Sequence, residues 1–352
     1  MSLYETSIAP HGVGGAMSTV LPGPEAASLP TVARIVARAV GQPLTPCAFV
    51  PLPGGRTGLG LWRVRLEAPW VAGVLSLVAK VVLVDDRESH LLRWLMSRGR
   101  LAPRLYQELP LSARLKVLLL EDVGDCGLPV DWPKQPRVAD AVVEWLSRIA
   151  RLAVPDPLTT TWTDWYRRTT LVREFETAWA TIRALQAATP GFIEADEFRL
   201  LATLFAGRAI IAQRLQPVCR RFIHGDLEPD HLRAVGEIAI QVRAVDWGLG
   251  ACGPLAFDLY DLVWGLPDSH FGQSLENLVC LMPSDVRPEL TAPVLRLAGG
   301  VKAFLHAGRA AAEYLQAPAA SGSAATSLGS LRTAVGRLHR WADHFPRGSD
   351  LR

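Results

Sequence analysis

The sequence predicts an α+β chain of two lobes: a small antiparallel sheet with one helix, then a larger and mainly helical part. Three observations carry this. From Cys47 to Asp122 the pattern is mostly strand, with helical period only over Asp85 to Ser97. Beyond Asp122 the long periodic segments are helical. The order, strands first and helices after, is that of an α+β architecture, and 352 residues suffice for two lobes.

Taken in order, residues 1–29 are rich in Gly, Pro, Ser and Ala and read as a flexible tail. Pro30 opens a short helix, Thr31 to Val40, which Gly41 stops. Residues 30–122 form the expected N-terminal lobe. Leu61 to Leu66 alternates like a half-exposed strand, and Val74 to Val84 is a buried run with one serine and one lysine. Leu91, Leu92 and Leu95 share one face of the helix Asp85 to Ser97, which Gly99 ends. Leu101 to Leu109 and Ala113 to Glu121 read as two further strands.

Residues 123–352 form the expected helical lobe. Arg137 to Leu152, Trp162 to Ala187 and Phe192 to Leu215 are helical in period, and two short strands, Arg221 to Ile223 and Ile238 to Val245, interrupt. Helices return from Phe257. Gln316 to Ser330 reads as an Ala/Ser/Gly-rich loop before a last helix, Leu331 to Phe345.

Composition excludes several function classes. With 49% hydrophobic and 20% charged residues the chain has a globular balance rather than that of a disordered one. A net charge of +3, without a basic block, does not suggest nucleic acid. The five cysteines, Cys47, Cys126, Cys219, Cys252 and Cys280, form no CxxC pair, which points to free thiols in a reducing cytoplasm and gives zinc no ligand spacing. No Lys or Arg precedes Arg34, so a basic signal-peptide start is missing. The apolar stretch Ala68 to Ala79 falls short of the roughly 20 residues a spanning helix takes. A soluble, cytoplasmic protein without nucleic-acid or membrane partners is expected; its oligomeric state is left open.

The residues that carry chemistry lie between Arg221 and Leu266. His224-Gly225-Asp226 follows a short apolar strand, so Asp226 sits in a loop at a strand end. His231 follows soon after. A second strand ends in Asp246-Trp247-Gly248. One hairpin-like unit would thus deliver two acids and a histidine from strand ends. Such a pair suits phosphoryl transfer: one carboxylate orients a hydroxyl and takes its proton, the other holds the metal that neutralises phosphate charge.

The N-terminal part supplies matching features. Pro53 to Gly60, with Gly54, Gly55 and Gly58, joins two strands; it is either a phosphate-approaching loop or an ordinary Gly-rich hairpin. Lys80 interrupts an apolar strand, on the face it shares with Ser76, Val78, Val82 and Val84. The opposite face, Leu75, Leu77, Ala79, Val81 and Leu83, is the better core candidate. Glu88 lies on the inward stripe of the next helix. An ion pair between Lys80 and Glu88 accounts for both charges; a capping box between Asp85 and Glu88 is the other reading.

These segments resemble the aminoglycoside phosphotransferase and choline kinase family, small-molecule kinases of the protein-kinase-like fold. The resemblance rests on His224-Gly225-Asp226, on Asp246 at a strand end, and on Gly253-Pro254-Leu255-Ala256-Phe257-Asp258-Leu259. It spans about Phe49 to Leu266. It implies Asp226 as catalytic base, Asp246 as principal metal ligand, and Asp258 as a buried acid bracing the catalytic loop. It also implies Lys80 and Glu88 as the phosphate-positioning pair. Glu121 and Val123 would be hinge residues whose backbone meets the adenine.

The implied function is transfer of the γ-phosphoryl group of ATP (or GTP), with Mg²⁺ (or Mn²⁺), to a hydroxyl of an antibiotic, sugar or amino alcohol. The alternative is a nucleotide-binding pseudokinase with a regulatory or scaffold role. A protein kinase is disfavoured, because no Ala-Pro-Glu stretch follows Asp246. The family's asparagine is His231 here. It is read as a metal ligand, as a donor near the phosphates, or as the mark of a degenerate site.

The acceptor is less legible. Trp162, Trp165, Tyr166 and Trp264 read either as core packing or as walls of an apolar pocket. A polycationic acceptor favours an acidic cleft, whereas arginines are frequent in the helical part.

Overall fold

A computed structural model describes residues 28–40, 45–52, 59–67, 75–125, 127–129, 131–152, 168–218, 221–236, 240–264, 266, 268–316 and 322–342. The chain divides into two compact units. The first takes residues 1–84 with 107–120, the second 85–106 with 121–352.

The first unit holds the sheet. Helix α1 (Leu29–Val40) precedes β1 (Thr45–Pro51), β2 (Leu61–Glu67) and β3 (Leu75–Leu83). β4 (Leu105–Pro110) and β5 (Leu115–Glu121) complete five strands in the order β1-β2-β3-β5-β4. β1 pairs antiparallel with β2, and β2 with β3, Leu61 opposite Lys80. α1 buries Val32 and Val36 in one cluster with Trp62, Val64 and Leu66 of β2 and Ala79 and Val81 of β3. The face of β3 expected to form the core therefore does so at Ala79 and Val81. At its two ends, Leu75 and Leu83 are exposed. The sheet also buries a charge that sequence reading passed over: Lys116 of β5 pairs with Glu108 of β4 at 3.2 Å.

Of the stretch Pro53 to Gly60, Leu59 and Gly60 are described, and Leu59 is buried in the same cluster. The φ of Gly60 is +127°, and a Cβ there would meet the Trp62 ring at 2.0 Å. Glycine at the foot of this turn is demanded by both backbone and packing.

The second unit begins with α2 (Glu88–Met96), which the sequence reading counts with the sheet. Its own packing sets it here. Trp94 meets Phe222 edge-on at 4.7 Å, and Arg87 Nε donates to the Gly248 carbonyl at 2.8 Å. Then follow α3 (Pro136–Ala150), α4 (Arg168–Ala188), α5 (Ala195–Ala206) and α6 (Arg208–Leu215). The single helix expected over Phe192 to Leu215 is two, parted at Gly207. Glycine is a poor helix former, and the Gly207 N–H closes α5 on the Phe205 and Thr203 carbonyls.

Four short strands come next: β6 (Arg221–Ile223), β7 (Leu232–Val235), β8 (Gln241–Ala244) and β9 (Ala251–Gly253). They make two separate antiparallel pairs, β6 with β9 and β7 with β8. The two strands expected from sequence were β6 and β8; their equally short partners were not.

Helices α7 (Leu255–Trp264), α8 (Asp268–Leu281), α9 (Ala292–Gln316) and α10 (Gly322–Ala342) finish the chain. The loop expected up to Ser330 is thus helical from Gly322. Alanine and serine in that stretch do not break a helix, and packing against α9 carries it. Among the described residues no helix is long and apolar enough to cross a membrane.

Candidate functional site

The second unit gathers Asp226, His231, Asp246 and Asp258, and the two strand pairs do it. Ile223 at the end of β6 faces Ala251 of β9. This sets Gly225, φ +86°, so close to the segment after Asp246 that a Cβ on it would lie 2.4 Å from the Leu249 carbonyl oxygen. In the other pair Leu232 faces Ala244, and the Val245 N–H donates to the His231 carbonyl at 2.8 Å. His231 and Asp246 thereby become neighbours.

The two loops are also tied by side chains. His224 is fully buried, and its Nε2 bonds the Val245 carbonyl at 2.8 Å. Burial first, then the nearby His231, lowers its pKa to about 4, so the ring is neutral and Nε2 carries the proton. Asp258 of α7 accepts from the His224 N–H at 2.7 Å and from the Gly225 N–H at 2.8 Å. Burial raises its pKa to about 7, against the pull of those two N–H groups.

These two shifts have opposite linkage signs. His224 binds its proton more weakly folded than unfolded, so its contribution is lost as pH falls from 6.5 towards about 4. Asp258 binds its proton more tightly folded, so its contribution is lost as pH rises from 3.8 towards about 7. The two slopes offset each other over the shared range. Asp258→Asn should uncover the histidine: its thermal midpoint should climb between pH 4 and 6.5 more steeply than that of the parent. Parallel melting curves against pH would contradict it.

Asp226 is 6% exposed. Its main-chain carbonyl accepts from His231 Nδ1 at 2.6 Å, and its Oδ1 lies 3.2 Å from Nη1 of Arg309 on α9. Nδ1 is thus the donor, and Nε2 lies 4.0 Å from Asp246 Oδ2. Asp246 is the only non-glycine residue at positive φ among those described, at φ 63° and ψ 59°. Aspartate tolerates this region better than most residues, and held strain of this kind gathers at functional sites.

The next residue holds it there. Trp247 is fully buried, stacks on Phe222 at 5.7 Å and lies 4.6 Å from the His224 ring. Its Nε1 donates to the Ala244 carbonyl at 2.7 Å, and its main-chain N–H to Glu88 Oε1 at 3.3 Å.

Glu88, 2% exposed, is thus inward as expected. Within its own unit it meets the Asp246 loop, and it does not cap the helix. The Glu88 N–H bonds Asp86 Oδ1 at 2.7 Å, and α2 starts at Glu88, so the box with Asp85 does not form. Lys80 is half-buried on β3 in the other unit. Glu121 is engaged through its side chain, with the Arg104 N–H at 3.1 Å and with Arg243 of β8. Val123 is half-buried. Gly54, Gly55 and Gly58, with Trp162, Trp165 and Tyr166, lie outside the described residues. Trp264 is held between His306 at 4.5 Å and the Arg337 guanidinium at 4.2 Å, the packing role.

Sequence reading missed the basic residues of α9. Lys302 donates to the Gly225 carbonyl at 3.1 Å and pairs with Asp261 at 2.6 Å. His306 meets Asp261 at 3.3 Å. Three basic residues one helical stripe apart, within an Ala-, Gly- and Leu-rich helix, were the available signal, because buried charges need partners.

No protein-family model matches the sequence, nor does any curated protein. Solved structures do match the fold. A choline kinase from Streptococcus pneumoniae superposes with a TM-score of 0.59 at 14% identity, over 87% of this chain and 98% of that one. The aminoglycoside phosphotransferase APH(4)-Ia, in a complex with ADP and hygromycin B, gives 0.57 at 13% identity, over 87% and 98%. An ethanolamine kinase from Plasmodium vivax gives 0.53 at 10% identity, over 84% and 83%. They are of the kind that the segment Arg221 to Leu266 resembles in sequence. At such identities the likeness establishes the fold: bilobal and protein-kinase-like, with a five-stranded sheet and a helical second part.

Proposed function

We propose that this chain is a small-molecule kinase that transfers the γ-phosphoryl group of ATP (or GTP) to a hydroxyl of a small acceptor. The observation that carries the reading is the convergence of Asp226, His231 and Asp246 on two loops that His224 ties together, the Asp226 loop being braced in addition by Asp258. Asp226 orients the acceptor hydroxyl and takes its proton as the oxygen bonds to phosphorus. The electron pair of the broken P–O bond leaves with the nucleoside diphosphate. Lys80, Glu88, Glu121, Val123 and the glycines Gly54, Gly55 and Gly58 are assigned to the nucleotide by resemblance.

The residues fit a divalent ion. Asp246 Oδ2 and His231 Nε2 are acceptor atoms 4.0 Å apart, and the second ring nitrogen donates to a carbonyl, as in metal-binding imidazoles generally. Among the described residues no three His, Cys, Asp or Glu side chains gather as a metal site. Two protein ligands are what a magnesium–nucleotide site takes, since phosphates and water complete the shell. When bound, Mg²⁺ (or Mn²⁺) would neutralise charge on the β- and γ-phosphates.

Metal-dependent release of nucleoside diphosphate, with and without hydroxyl acceptors, tests the reading. No turnover with either metal, but intact nucleotide binding, would favour the pseudokinase. His231→Asn exchanges an imidazole nitrogen for a harder carbonyl oxygen. It is expected to keep turnover and to lower the Mn²⁺/Mg²⁺ activity ratio severalfold. An unchanged ratio would remove His231 from the metal.

A further inference from the structure

Lys302, His306 and Arg309 lie at positions i, i+4 and i+7 of α9, on one face. They differ in what surrounds them. The Lys302 side chain is 5% exposed and spent on Asp261 and the Gly225 carbonyl. His306 stacks on Trp264 and meets Asp261. Arg309 reaches the carboxylate of Asp226, and its side chain is 33% exposed against 9% for Asp226. It is therefore a partly exposed cation beside the residue proposed as base.

An arginine there does not serve proton transfer by itself, since a neighbouring cation favours the ionised carboxylate over the protonated one. Its charge also loses its partner when Asp226 takes the acceptor proton. Asp226, Asp261 and Glu228 are the carboxylates whose charge acts on it. Glu174 of α4 acts on it as well; burial pushes that carboxyl up, while Arg173 and Arg309 pull it down. A cationic acceptor would meet Arg309 as a like charge, which costs affinity. An acceptor with its own carboxylate or phosphate would meet a planar fork that binds such groups through two parallel hydrogen bonds.

We propose that Arg309 determines acceptor specificity and that the acceptor carries a carboxylate or phosphate a few bonds from its reacting hydroxyl. This rests on the kinase reading and names its substrate class.

The test uses the purified full chain with radiolabelled ATP and GTP, Mg²⁺ or Mn²⁺, and four acceptor sets. These are hydroxycarboxylates such as glycerate, hydroxyphosphates such as glycerol 3-phosphate, neutral polyols, and the cations choline, ethanolamine and kanamycin. One of the two anionic sets should give the highest kcat/KM, and which of them does so identifies the group. Arg309→Ala should raise the acceptor KM of that set by about 10²-fold, the scale of a truncated charge pair. Its effect on neutral polyols and on nucleotide KM should be much smaller, and Arg309→Lys should recover part of the loss.

Preference of the parent for the cations or polyols would overturn the inference and leave the kinase reading standing. So would an equal loss for every acceptor in Arg309→Ala, which marks a structural role. Absence of transfer to all four sets, together with absence of any metal-dependent nucleotide turnover, would overturn the kinase reading and the inference with it.

Discussion

Asp226→Asn is expected to lower turnover by about 10²-fold or more while leaving nucleotide affinity nearly intact. The substitution keeps the shape of the side chain and an oxygen for Arg309, whose Nη1 lies 3.2 Å from Oδ1. The backbone that positions it is held independently. Asp258 accepts from the N–H groups of His224 and Gly225, and the Asp226 carbonyl accepts from His231 Nδ1. What disappears is the capacity to take a proton. Single-turnover rates with saturating nucleotide and acceptor would measure the loss, and thermal unfolding would separate it from any structural cost. A rate within threefold of the parent would take Asp226 out of the chemistry.

The second large effect is expected at Gly225. Its φ is +86°, and an added Cβ would sit 2.4 Å from the main-chain oxygen of Leu249. Backbone cannot swing aside as a side chain can. Gly225→Ala must pay for the left-handed conformation and also push the Asp226 loop away from the segment that follows Asp246. The two together amount to roughly 2–5 kcal/mol of stability. Turnover at a temperature where the variant is still folded should fall at least tenfold, because both loops shift at once. Denaturant unfolding and kinetics on the same sample check this. A variant as stable and as active as the parent would show that the two loops are not in contact in solution.

The two positions differ in how they could be found. Asp226 stands in a short run, His224-Gly225-Asp226, that resembles a known catalytic loop. Gly225 is part of the same run, yet glycine is frequent in turns, and nothing nearby in sequence names Leu249 as its neighbour. Asp246 was legible as an acid at a strand end. That Trp247 would hold it in a left-handed conformation, buried against Phe222 and His224, was not. Glu88 was legible as an inward charge, but its meeting with the Trp247 N–H joins residues far apart in the chain.

By itself the sequence determined what depends on neighbours along the chain. Its periods placed the strands of the sheet and most helices, because a repeat of two or of 3.6 residues is a local property. Its ordered acids supplied the resemblance to a kinase catalytic loop, because residue type and strand ends are local too. Only the tertiary structure decided the pairings. Strands β7 and β9, no shorter than the β8 and β6 they pair with, were not legible by themselves, and they form because β8 and β6 offer backbone groups to pair with. The helical stretch from Gly322 to Ser330 lacks a strong apolar stripe and forms against α9. Arg309 is one arginine among many in sequence. It joins the candidate site because the turn of α9 sets it, Lys302 and His306 on the face that meets the Asp226 loop, and a partly buried charge settles where an opposite charge can satisfy it.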